Sequence, residues 1–106
     1  MYREYMALFQ ILDACYQKGA NDDLPALLGE MSPYVFADLM PADKMVYDDW
    51  AIRCRDLKNA LDWKPAIHSL LEEYEKEYHF CFEDTKDILN AMPEGEIECF
   101  LQVDNI

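Results

Sequence analysis

The chain has 106 residues, 52% of them hydrophobic and 29% charged, with 22 acidic side chains against nine basic ones and a formal net charge of −13. A chain of this length fits one domain that buries roughly two-thirds of its unfolded surface, and the hydrophobic content is too high for a charge-driven disordered segment. The excess of acid argues against nucleic acid and anionic membranes, because displacing phosphate counterions takes a basic patch; the densest basic group, Arg53, Arg55, Lys58 and Lys64, is offset by Asp49, Asp56 and Asp62.

Residues 2 to 18 read as a helix, with Tyr2, Tyr5, Met6, Phe9, Leu12 and Tyr16 recurring at three- and four-residue steps. Gly19 supplies a C-terminal stop. Asn21, Asp22 and Asp23 then cap a short helix that tolerates Pro25 in its first turn and turns Leu24, Leu27 and Leu28 inward. The segment "SPYVFADLMPADKMVYDDW", residues 32 to 50, mixes aromatics, prolines and aspartates, and Asp43 is placed to cap the next helix. Met45, Val46, Trp50, Cys54, Leu57 and Leu61 mark the buried face of that helix through about residue 62.

Pro65 stands where a further helix begins, with Ile67, Leu70, Leu71, Tyr74 and Tyr78 as its stripe. A break near residues 79 to 83 separates it from a helix using Phe82, Thr85, Ile88, Leu89 and Met92; one very long helix is the alternative. Pro93 opens a last helix using Ile97, Phe100, Leu101 and Asp104. A short C-terminal strand is the rival there, because Ile97, Cys99, Leu101 and Val103 also alternate. The fold expected is therefore all-α, one compact domain of about five helices in an orthogonal or bundle-like arrangement.

Cys15, Cys54, Cys81 and Cys99 form no C-x-x-C pair, and the opening "MYREYMALFQ" has no apolar run of a signal peptide. Together with the lack of an apolar stretch of spanning length, this predicts a cytoplasmic protein with reduced thiols.

Few residues offer chemistry. "HSLLEEYEKEYH" places His68, Glu72, Glu75 and His79 on one strip of a helix, and imidazole with carboxylate at (i, i+4) can share a metal. The strip's ends are about 16 Å apart, so one ion cannot use both, and a solvated face with local ion pairs is the simpler reading. Asp38, Asp43, Asp48 and Asp49 lack the central glycine of a calcium loop. Ser32 sits beside Pro33 as a cap, Ser69 is next to His68 but a helix points the two to different sides, and three scattered glycines make no phosphate loop. No catalytic residues and no cofactor are expected.

Aromatic side chains beside acid are the remaining signal. Asp43, Tyr47, Asp48, Asp49, Trp50 and Trp63 are read as a patch for a basic protein partner, on which rings supply contact area and arginine stacks. The competing reading makes Trp50 core and packs Trp63 at a helix end.

The run "NDDLPALLGEMSPYVFADLMPADKMVYDDW" resembles a family of small, acidic, uncharacterised bacterial proteins, and covers under a third of the chain. In size, acidity and helicity the chain is also similar to bacterial immunity proteins, which bind and block a toxin. The second resemblance implies an acidic module that holds a basic partner. A metal-binding helical protein and a small structural subunit are the alternatives.

Overall fold

The computed structural model describes residues 2–31, 44–55, 57 and 60–101. Among them are six helices and no strand: α1 (Tyr2–Gln17), α2 (Leu24–Met31), α3 (Lys44–Cys54), α4 (Ala60–Tyr78), α5 (Glu83–Ala91) and α6 (Glu94–Leu101). The all-α class is as expected, with one helix more than the five counted from periodicity. The C-terminal segment that also alternated is helical over Glu94–Leu101, so the strand alternative is not seen there.

The end of α1 and the starts of α2 and α6 have local causes. Gly19 takes φ 107, a left-handed conformation that lets its N–H reach the Tyr16 carbonyl at 3.0 Å and the Ala20 N–H reach that of Cys15 at 3.2 Å. Asp22 Oδ1 accepts the N–H of Leu24, the first residue of α2, at 2.9 Å, and the Asp23 carbonyl takes those of Ala26 and Leu27. The Pro93 carbonyl starts α6 by accepting from Glu96 and Ile97.

Two boundaries differ from the pattern in the sequence. α3 stops at Cys54 rather than near residue 62, and α4 begins at Ala60, so Trp63 belongs to α4 and Pro65 lies inside it. Pro65 removes the N–H that would bond the Leu61 carbonyl. Burial of the α4 stripe offsets that loss, since Trp63, Ile67, Leu70, Leu71 and Tyr74 are all buried. The break after Tyr78 is real: His79, at φ 60, turns the chain, and α5 starts at Glu83.

α1 touches α2, α3, α5 and α6, while α4 touches α3, α5 and α6, so these two helices organise the packing. One hydrophobic cluster draws on all six helices. On α1 the buried face is Tyr5, Leu8, Ile11, Leu12 and Cys15, rotated from the aromatic stripe; Phe9 is half-buried and Tyr16 is exposed. No described helix is long and apolar enough to cross a membrane.

Candidate functional site

Of the six residues expected to meet a partner, α3 carries Tyr47, Asp48, Asp49 and Trp50, and α4 carries Trp63. Val46 and Trp50 point into the core, which turns Asp48 and Ile52 outward, one helical turn apart on the opposite side. Asp48 is exposed and Tyr47 is half-buried, its ring 5.1 Å from that of Tyr5. Asp49 is half-buried and its Oδ2 accepts the Tyr74 hydroxyl at 2.9 Å. Asp43 lies outside the described residues.

Trp50 and Trp63 are corrected from contact residues to core. Their exposures are 0% and 5%, and their rings meet edge-on at 5.1 Å. The indole N–H of Trp50 donates to the Glu4 carbonyl at 3.2 Å, so its one polar atom is satisfied inside the protein. The apolar side chain that does face solvent on α3 is Ile52, 62% exposed. Spacing could have found it: Ile52 lies about 200° around the helix from Trp50.

Arg53 joins α3 to α4. Its guanidinium donates to Glu73 Oε1 at 2.9 Å, to Ser69 Oγ at 3.3 Å and to the Asp49 carbonyl at 3.2 Å. This arginine is spent on internal contacts, although it lies beside the acidic face.

The histidine–carboxylate strip is not held together. His79 lies beyond the end of α4. His68 Nε2 is 2.8 Å from Asn90 Oδ1 of α5. Glu72 is exposed, and both oxygens of Glu75 are engaged: Oε1 takes Lys86 Nζ at 2.7 Å and Oε2 takes the Phe82 N–H at 2.8 Å. Burial works to raise the Glu75 pKa, but the hydrogen bonds from Lys86 and Phe82 and the Lys86 charge outweigh it and hold the carboxyl below its ordinary range. Among the described residues, no group of three or more His, Cys, Asp or Glu side chains could hold a metal ion.

A second acidic constellation emerges where the α1–α2 turn meets the start of α5. Phe82, the N-cap residue of α5, makes no side-chain capping bond, and its ring is buried. Asp22 caps this helix from outside, accepting the Thr85 N–H at 2.9 Å and the Thr85 hydroxyl at 2.9 and 3.0 Å. Asp23 Oδ2 accepts the Cys81 N–H at 2.7 Å while its own N–H donates to the Cys81 carbonyl at 3.0 Å. Asp84 Oδ2 accepts from the Asn21 N–H at 3.2 Å. These carboxylates serve as helix starts and chain ties.

A shallow groove of about 510 Å³ runs between α1 and α6. Gln10, Gln17 and Phe100 line it with the Lys18–Glu96 ion pair of 3.3 Å, and no serine, threonine, cysteine or histidine is among its lining residues. No protein family, curated protein or solved structure matches the chain.

Proposed function

We propose that this chain is a cytoplasmic, non-catalytic protein-binding module that holds a basic partner protein on its negative surface, most concretely as an immunity- or antitoxin-like protein. The observation that carries the reading is the charge excess. Nine cationic side chains face 22 acidic ones, and at least three of the nine, Lys18, Arg53 and Lys86, are already committed to ion pairs within the fold. A surface so unbalanced is relieved by a partner of opposite charge and speeds the encounter with it. The outward face of α3 suits the contact, because Asp48 supplies charge beside the exposed Ile52.

The test is to express the reading frames that flank the gene, alone and together with it. The expected result is that one encodes a basic protein that binds the purified chain, with an association rate that falls steeply with salt. Asp48→Asn should slow that association and flatten its salt dependence. A binding partner whose association ignores both salt and Asp48→Asn would remove the acidic face from the reading.

A further inference from the structure

We propose that the C-terminal end of α4 is the seat for an arginine side chain of the basic partner, stacked on Tyr78 with Glu77 and Asp49 supplying counter-charge. This rests on the reading of the chain as a module for a basic protein, and specifies where and with what chemistry that protein is held.

The apolar stripe of α4 runs past the core. Ile67, Leu70, Leu71 and Tyr74 are buried, whereas Tyr78, the next turn of the same stripe, is 47% exposed. Its ring is propped from within the protein. Tyr74 lies 5.8 Å from it and Phe80 6.3 Å, and Phe80 in turn meets the buried Phe82 at 5.6 Å. A ring held this way offers contact area with little rotamer freedom left to lose on binding.

Charge at the same place asks for a cation. The Tyr74 hydroxyl donates to Asp49 Oδ2 at 2.9 Å, which brings a carboxylate of α3 to the foot of the aromatic cluster. Glu77 is exposed in the final turn of α4. A helix C-terminus carries partial negative charge and is stabilised by cations, so an acid there is opposed by its own helix. Lys76 is the one basic residue in that turn. An incoming guanidinium relieves the repulsion and can stack its plane on the Tyr78 ring while hydrogen-bonding a carboxylate. An ammonium, compact and more strongly hydrated, does this less well.

The experiment uses the full chain and two end-blocked peptides, deca-arginine and deca-lysine, titrated calorimetrically at low salt. Deca-arginine should bind about two- to fivefold more tightly than deca-lysine, the increment of a partly exposed cation–π contact. Tyr78→Ala should erase the preference while leaving the shared electrostatic affinity, and Tyr78→Phe should keep it. A preference untouched by Tyr78→Ala overturns the site but leaves the acidic module standing. Failure of both peptides to bind the unaltered chain overturns the module as well. Nuclear magnetic resonance of the unaltered chain gives a readout independent of variant folding: among tyrosine ring signals, Tyr78 should shift most with deca-arginine, and a larger shift at Tyr16 overturns the assignment.

Discussion

Asp22 and Thr85 are 63 residues apart in sequence, yet one carboxylate takes both the backbone N–H and the hydroxyl of the threonine while also receiving the N–H of Leu24. Two helix starts thus share one side chain. Asp22→Ala removes a cap from α2 and from α5 and leaves the buried Thr85 hydroxyl without its acceptor, so a loss of about 2–3 kcal/mol is expected. Thr85→Val keeps the backbone bond and should cost about 1 kcal/mol. Urea denaturation of the three proteins checks the order; equal midpoints for Asp22→Ala and the parent would show that the shared cap contributes nothing.

Trp50 and Ile52, two residues apart on α3, should respond in opposite ways. Trp50→Ala empties a fully buried site and should destabilise the domain by about 3–5 kcal/mol. Ile52→Ala trims an exposed side chain and should stay within about 0.5 kcal/mol. Thermal melts of both variants decide the matter, and a comparable drop for Ile52→Ala would place that side chain in packing rather than on a surface.

Glu75 gives the fold a dependence on acid. Its folded pKa lies below the unfolded value, so its stabilising effect is complete above the unfolded carboxylate range near pH 4.3 and is lost as pH falls through the folded value. Because the Glu75–Lys86 pair is partly solvated, the effect should be under about 1 kcal/mol. Glu75→Gln should therefore narrow the stability difference between pH 6 and pH 3. An unchanged difference would assign the acid sensitivity to other carboxylates, Glu4 among them, which is also held low.

His79 occupies a conformation that glycine adopts without a Cβ clash. His79→Gly should raise stability by a few tenths to about 1 kcal/mol, the relief at the left-handed position outweighing the entropy of the added glycine. A lower melting temperature would mean that the imidazole makes a contact worth more than the strain.

The four thiols should separate into two classes at pH 8. Burial pushes Cys15 up to about 11 and Cys54 up to about 12, while Cys81 and Cys99 are exposed. A thiol reagent should label the latter pair first, because the thiolate is the nucleophile. Mass mapping that finds Cys15 or Cys54 labelled as quickly would signal local opening of the core.

Features fixed by neighbours in sequence could be read before the structure was seen. Gly19 as a stop, Asp22 beside Leu24, and the stripe Ile67, Leu70, Leu71, Tyr74 all depend on spacings within one or two turns. Pro65 misled because burial of a long stripe overrode a local breaker. Trp50 and Trp63 invited a surface reading because acids surround them in sequence, but the helix directs Asp48 to the opposite side. The second role of Asp22 depends on a tertiary contact that no local spacing encodes.

Phe82 has a consequence for the order in which amides become protected from solvent hydrogen exchange. A helix that begins on a buried phenylalanine and borrows its acceptors from Asp22 and Glu75 has no autonomous start. Nine residues alone are also too few to stay helical in water. The amide hydrogen of Phe82 is shielded only while the end of α4 stays against the start of α5, and that of Thr85 only while the α1–α2 turn does. Each should exchange through the opening that parts α5 from its own acceptor, a tertiary separation, rather than through the fraying of a short isolated helix.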